Sequence, residues 1–400
     1  MGLLSESTGV MMKKLGMADL IHPLTLDAFM TRYWQKKPYV GHGSPQRFAE
    51  IAAIPELASI DALLEAWRGN ADAWAPRDTK NPLINASARQ LPAFYESGYT
   101  LYLSKVEDHV PALEPIARKL ERDIGLRQDD VYFEAFISKG TGSGFHFDPN
   151  VTINIQLIGS KQWCVAENKH LVNPHVGWSA GAEVNEHMQR YARQPFPTRM
   201  PPGCRRFEAK PGTLVYLHPG YWHCTLNHEP SLSLLFTINP PSWTDLLMDE
   251  IRDLMLKHDA GRELAFGLAS TAGYEQKRQR LQQLIEAAGE AVAQLSADDL
   301  LADWGGTLTA SFERNPQIAC RVDAGRGGQD DVLVIQSGRK QERSVLAPDA
   351  RQVLKWVSAR KRSFHGHQAA EATTTVATIR VAEILEQFAD AGLILREGSA

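Results

Sequence analysis

The stretch Gly144-Phe-His-Phe-Asp-Pro149 places His146 and Asp148 two residues apart. On an extended chain, positions i and i+2 project to the same side, so an imidazole and a carboxylate can reach one ion. Two histidines and one carboxylate on one face of an ion are the ligand set of a non-haem Fe(II) centre with open positions. The second histidine must come from elsewhere. The run Lys210-Pro-Gly-Thr-Leu-Val-Tyr-Leu-His-Pro-Gly-Tyr-Trp-His223 offers it: a strand enters a Pro219-Gly220 turn, and the reversed chain brings back His223. His218 competes from before the turn, where Pro219 and Gly220 restrict its approach, so His223 is preferred. His170, His175 and His228 lie in loops without a partner and read as structural or exposed. The His-x-Asp pair alone carries little weight. With 13 histidines and 47 acidic residues in 400, about 1.5 such pairs arise by chance, and only context makes a motif informative.

The context begins immediately after Asp148. Val151, Ile153, Ile155 and Leu157 alternate with Thr152, Asn154 and Gln156, a period of two that predicts a strand. Gly159-Ser160 makes a turn, and Lys161 to Val165 return. Lys161 is either a solvated turn residue or a cation for the far end of an anionic ligand. A water-poor pocket would make such a charge-assisted contact strong. Thr152, Asn154 and Gln156 share one face, which is either the wet side of an antiparallel strand or the lining of a pocket. Tyr132 and Trp163 are either pocket walls or core aromatics, with core preferred.

These residues need a scaffold. Residues 24–67 carry helical spacing (Leu26, Phe29, Met30, Tyr33), with Ser59 or Asp61 capping a later helix. Strands are predicted over 131–138, 213–218 and 231–238. Between 167 and 210 lies a long, proline-rich connection of the kind that forms lids or binding loops. After Pro240-Pro241 the period returns to helical, with apolar stripes at Leu247, Ile251, Leu254 and at Leu281, Leu284, Ala288, Val292, Leu295. Residues 301–400 hold a strand at 332–336, helices at 349–358 and 381–390, and a short strand at 392–396. Arg360-Lys361-Arg362 is a basic patch, yet this segment has 13 Lys+Arg against 12 Asp+Glu. A DNA-binding module is markedly basic, so DNA is disfavoured as a partner.

Composition bounds the rest. The 400 residues exceed one ordinary domain. A hydrophobic content of 43% and a net charge of −4 are those of a globular chain with no general attraction to nucleic acid. Cys164, Cys204, Cys224 and Cys320 are far apart and form no C-x-x-C, which argues against a disulfide framework and for a reducing compartment. No signal-like segment and no membrane-length apolar run is visible, so a cytoplasmic location is expected.

Taken together, G-x-H-x-D at 144–148, a lysine 13 residues after Asp148, and P-G-x-W-H at 219–223 resemble the JmjC-type Fe(II)/2-oxoglutarate oxygenases of the cupin superfamily. Met30-Thr-Arg-Tyr-Trp-Gln-Lys-Lys-Pro38 resembles the Y-W-x-K-x-P helix of bacterial cupin-like protein hydroxylases. The order of units is similar to that of the ribosomal-protein hydroxylases in that group. The resemblance implies an α+β fold in three parts. A double-stranded β-helix (jelly-roll/cupin) core with N-terminal helices would span 1–240. A helical pair over 241–300 would mediate dimerisation, and a winged-helix-like domain would occupy 301–400. It implies Fe(II) on His146, Asp148 and His223, with the distal carboxylate of 2-oxoglutarate on Lys161 and Ser143. Asn239 is a further candidate cosubstrate contact. The implied activity is O2-dependent hydroxylation of an amino-acid side chain in a protein or peptide, a ribosomal protein among the candidates. The alternative is a free amino acid or a natural-product peptide. A homodimer without membrane association is expected. The chain departs from the arginine-hydroxylating members, which have an arginine-rich return strand where this chain has Ser160-Lys161-Gln162-Trp163.

Overall fold

The computed structural model describes residues 15–75, 84–140, 142–297, 311–325, 331–337, 340–360, 362–373 and 378–396. It divides into two compact units, Met1–Pro240 and Pro241–Ala400.

The first unit is a sandwich of two antiparallel sheets. Its strands are β1 (Tyr39–Gly41), β2 (Asn70–Trp74), β3 (Ile84–Ser87), β4 (Thr100–Ser104), β5 (Val131–Lys139), β6 (His146–Phe147), β7 (Val151–Ile158), β8 (Lys161–Ala166), β9 (Trp178–Ser179), β10 (Arg205–Ala209), β11 (Leu214–Leu217), β12 (Trp222–Leu226) and β13 (Pro230–Ile238). The larger sheet runs β1-β11-β7-β13-β5-β4-β2-β3, and the smaller runs β10-β8-β12-β6-β9. Neighbouring strands come from distant parts of the chain, as a jelly roll requires.

Alternation decides what each face of the larger sheet does. Val131, Phe133, Ala135 and Ile137 of β5, with Leu232, Leu234 and Phe236 of β13, enter one large apolar core. That core is closed by the helices Met17–Ile21, Leu26–Arg32, Ile60–Ala66 and Glu114–Ile124. Thr25 and Ser59 cap two of these by accepting from Ala28 N and Ala62 N, which satisfies backbone donors left over at a helix start. Fully burying one Leu or Phe contributes about 1.5–3 kcal/mol, so this face fixes the register of every strand that crosses it. The opposite face carries the intervening residues, and these point towards the smaller sheet.

One sequence expectation is overturned here. Cys164 and Cys204 form a disulfide across 40 residues. Pairing of β8 with β10, in which Arg205 faces Val165, brings the two cysteines together despite their separation in sequence.

The second unit begins with two long helices, Trp243–Leu256 and Tyr274–Gln294, and a short one between them, Asp259–Arg262; no residue of the three is buried. Strands β14 (Ser311–Arg314), β15 (Ile318–Asp323), β16 (Asp331–Ser337) and β17 (Lys340–Leu346) follow, then β18 (Phe364–His365) and β19 (Ile394–Arg396). Helices 348–358, 366–372 and 378–390 pack around Phe312, Val353, Val381, Ile384 and Leu385. Among the described residues, the hairpin that a winged-helix-like domain would carry after its helices is not found. Instead β19 pairs with β14, which precedes all three helices. Lys361 of the basic patch lies outside the described residues.

The β7–β8 turn gives a direct check on this packing. Gly159 has φ +66, and a Cβ there would meet the Pro230 carbonyl oxygen at 2.0 Å. Gly159→Ala is therefore expected to destabilise the first unit by about 1–3 kcal/mol, read as a lowered urea midpoint.

Candidate functional site

The smaller sheet assembles the metal-ligating cluster. In the β6–β12 pair, His146 faces His223 directly, and their ring centroids are 4.0 Å apart. Asp148 follows β6. Its Oδ2 lies 3.7 Å from His146 Nε2 and 3.4 Å from His223 Nε2. All three ligand atoms fall within 4.8 Å of one another. Each imidazole is aimed by its other nitrogen: His146 Nδ1 donates to the Gly144 carbonyl at 2.6 Å, and His223 Nδ1 to that of Tyr221 at 2.9 Å. That arrangement leaves both Nε2 lone pairs free to converge, as in metal-binding histidines generally. Burial, reinforced by His223, pushes His146 down to about 4, so its imidazole is neutral and ligand-ready at pH 7. Burial pushes the Asp148 carboxyl up, but His146 and His223 together outweigh this and hold it below the usual carboxylate range. Two imidazoles and one carboxylate suit a divalent first-row metal, and the cluster fits Fe(II).

Aromatic packing holds the cluster from behind. Phe145 and Phe147 flank His146 in the chain, and Trp222 precedes His223. Trp222 sits 4.6 Å from Phe145, 4.8 Å from Phe147 and 5.7 Å from Trp178, ring centre to ring centre. Trp222 and Phe147 are fully buried. Trp178 and Phe196 come from the long 167–204 connection, which folds over this face. On the inner side, Trp163 stacks against His223 at 5.9 Å.

A cavity of about 390 Å³ lies between the sheets and contains the cluster. The larger sheet contributes Thr100, Tyr102, Tyr132, Glu134, Phe136, Ser138, Thr152, Asn154 and Thr237. The smaller sheet and its loops contribute Ser143, Lys161, Trp163, Thr225 and Asn227 along with the ligands. Lys161 is 5% exposed. Its Nζ lies 5.6 Å from the Phe136 ring centre, and no hydrogen bond or ion pair reaches it among the described residues. Burial alone lowers its pKa to about 7. Opposite, the Glu134 carboxyl is raised by burial; it accepts from Tyr102, and from Thr237 Oγ1 at 2.7 Å.

The sequence-predicted residues divide cleanly. His146, Asp148 and His223 come together, and His218 stays outside the cluster. Lys161 and Ser143 line the same cavity, with Ser143 Oγ 2.9 Å from Thr225 Oγ1. Asn239 does not reach it. The strand ends at Ile238, and Asn239 is exposed beyond it, its backbone N–H donating to Asp130 O at 2.9 Å. Tyr132 and Trp163 line the cavity, and Trp163 also belongs to a small buried apolar cluster with Val165, Val215 and Leu217. Thr152 and Asn154 also line it, while buried Gln156 is tied to Ser231, Ser233 and the Ile158 carbonyl. Sequence reasoning missed Tyr102, Glu134, Thr225 and Asn227. The alternation Thr100-Leu101-Tyr102-Leu103 and the i, i+2, i+4 series from His223 were the available signals.

The chain is similar to several known proteins. Residues 116–246 match the family model of the JmjC domain. YxbC of Bacillus subtilis (strain 168) is 26% identical over 257 residues, covering 62% of this chain and 78% of that protein. The bifunctional lysine-specific demethylase and histidyl-hydroxylase NO66 of Culex quinquefasciatus is 25% identical over 239 residues, 56% of this chain. The match spans only 34% of that NO66 protein. Among solved structures, Escherichia coli YcfD covers 94% of this chain and 98% of its own, with 16% identity and a TM-score of 0.41. YcfD in complex with cobalt and 2-oxoglutarate gives 18% identity and a TM-score of 0.40.

Two outcomes follow from the geometry. Alanine at His146, Asp148 or His223 should weaken Fe(II) binding at least about 100-fold while the chain stays folded, since ligand loss acts on the metal directly; metal-induced thermal shift measures this. Lys161 titrates near 7 when folded and near 10.5 when unfolded. Between those values the unfolded chain holds the extra proton, so stability rises with pH. The stability advantage of Lys161→Met over wild type, on the order of 4 kcal/mol at pH 7, should therefore shrink towards pH 10 in urea titrations.

Proposed function

The chain carries a JmjC domain, and from that premise we propose that this 2-oxoglutarate-dependent oxygenase hydroxylates an amino-acid side chain in a protein or peptide. Fe(II) is the cofactor and 2-oxoglutarate the cosubstrate of such a domain. The observation that carries the site assignment is the pairing of two features in one cavity. A His-Asp-His cluster stands on its wall, and a buried, unpaired ammonium faces the same space. A 2-oxo dicarboxylate has one end for each.

In this reading His146, Asp148 and His223 hold the metal, with both imidazoles fixed by their Nδ1–H bonds to carbonyls. Lys161 supplies the positive charge for the distal carboxylate, and Ser143 a hydroxyl beside it. The enclosing sheets keep water from both, which strengthens the ionic contact. Bound there, Fe(II) and 2-oxoglutarate supply O2-dependent oxidative decarboxylation coupled to oxidation of a nearby C–H bond. The protein's share is to position the target and exclude solvent.

Support for a protein target comes from the NO66 relatives, whose name describes two activities on protein side chains. Ribosomal proteins in the cytoplasm are the candidate targets that the sequence resemblance offers. The second unit adds a surface for assembly. Trp243, Met248, Leu281 and Ile285 stand 50–79% exposed on its two long helices. Exposed large apolar side chains on two helices are the raw material of a protein contact, and we assign them to a homodimer. Among the described residues, no helix is long and apolar enough to cross a membrane.

Succinate release with candidate substrates separates the readings. Peptides from ribosomal proteins are expected to stimulate it and to gain one oxygen by mass spectrometry. Stimulation by free amino acids and not by peptides would favour the small-molecule alternative, and loss of a methyl group would indicate demethylation. Light scattering should give twice the chain mass, and Leu281→Glu with Ile285→Glu should halve it.

A further inference from the structure

Strand β12 sends alternate residues into the cavity: His223, Thr225 and then Asn227, just past the strand end. The last residue pair between β12 and β8 is Leu226 with Gln162. The next rung of that antiparallel register sets Asn227 opposite Lys161. Directly opposed residues hold their Cβ atoms about 5 Å apart, so the amide and the ammonium share one end of the cavity. Asn227 is 1% exposed. Its Nδ2 and its Oδ1 both lack a hydrogen-bond partner, and both Asn227 and Lys161 line the cavity.

Leaving a buried amide unbonded costs free energy, and leaving an ammonium unbonded beside it costs more. Two such residues on one rung cannot be explained by packing, because an apolar pair would fill the space without that cost. They are complementary to a ligand group that accepts from both at once. A carboxylate does so, with one oxygen for Nζ and the other for Nδ2. The far end of the cavity thus has two donors where the sequence indicated one lysine with a serine nearby.

We propose that Asn227 is a cosubstrate-binding residue that, with Lys161, receives the distal carboxylate of 2-oxoglutarate and makes the site selective for a dicarboxylate. This rests on the oxygenase reading given above. The selectivity follows from the same pair. A shorter 2-oxo acid such as pyruvate could occupy the metal end but would leave Asn227 and Lys161 unpaired, and sites built to bond a polar group reject analogues that lack it. The remaining Oδ1 can accept a hydrogen bond from the Lys161 ammonium once the ligand draws the two together, so the amide also supports the charged form of the lysine.

The test is calorimetric titration of 2-oxoglutarate and of pyruvate into the full chain loaded with Mn(II). Wild type is compared with Asn227→Leu and Asn227→Asp. Asn227→Leu should weaken 2-oxoglutarate binding about 10- to 100-fold, the scale of a lost bond to a charged group, and leave pyruvate binding unchanged. Asn227→Asp should weaken 2-oxoglutarate further, because its own carboxylate would occupy Lys161. The thermal midpoint of ligand-free Asn227→Leu should hold or rise, since an unbonded buried amide is removed; a purely structural asparagine would make it fall. Wild-type affinity for 2-oxoglutarate in Asn227→Leu would overturn the proposal and leave the oxygenase reading intact. Equal weakening of both acids would overturn it too. Failure of wild type itself to bind 2-oxoglutarate would overturn both.

Discussion

Lys161 is an ammonium group enclosed between two sheets, with an aromatic ring and no anion beside it. An isolated charge in that position is costly, and burial has already drawn its proton affinity down by several powers of ten. Other elements would relieve the strain on the fold: a methionine would fill the volume, and a nearby carboxylate would pair the charge. Two carboxyls that line the cavity are committed elsewhere, Glu134 to Tyr102 and Thr237 and Asp148 to the two histidines. The cavity therefore has a positive end kept open and a metal-ligating end that carries two imidazoles and one carboxylate. A 2-oxo dicarboxylate matches that charge layout end for end.

Both ends depend on one geometric fact, the close packing of β6, β12 and β8 in the smaller sheet. The β6–β12 rung opposes the two histidines. The β12–β8 register then sets the distance from that rung to the lysine. Strand alternation keeps His223, Thr225 and Lys161 on the inner side, and the larger sheet answers with Thr152, Asn154, Glu134 and Thr237. Its other face is anchored in the helix-covered core. Because Trp222, Phe147 and Phe145 pack behind the histidines, the metal-ligating geometry is tied to hydrophobic burial rather than to loop conformation. The disulfide from Cys164 to Cys204 closes the base of the connection that supplies Trp178 and Phe196 to the same packing.

Much of this was legible in the chain itself. The period-two run from Val151 to Leu157, the Gly159 turn and the strands at 131–138 and 231–238 are strong local signals, and they form where expected. The His-x-Asp pair and His223 were readable because the spacing of ligands on strands is a local property. Lys161 was readable only as an offset from Asp148; its burial is a tertiary fact. What escaped the sequence depends on strand pairing. Tyr102 sits on a strand of five residues, and nothing local says that β4 and β2 extend the larger sheet. Asn227 lies one residue past a strand and looks like a loop residue until the register is known. Asn239 failed for the converse reason: the alternation that predicts its side ends at Ile238. The cysteine pair failed because sequence separation says nothing about strands brought side by side.

The central claim is that Fe(II) and 2-oxoglutarate bind together in the β6–β12–β8 cavity. The most direct measurement is the visible absorption of the full chain titrated anaerobically with Fe(II) and then 2-oxoglutarate. The account predicts a charge-transfer band that develops with 2-oxoglutarate in wild type, is lost in His223→Ala, and needs far more 2-oxoglutarate in Lys161→Met. A folded wild-type chain that gives no band, or a Lys161→Met chain that gives it at the wild-type concentration, would contradict the account.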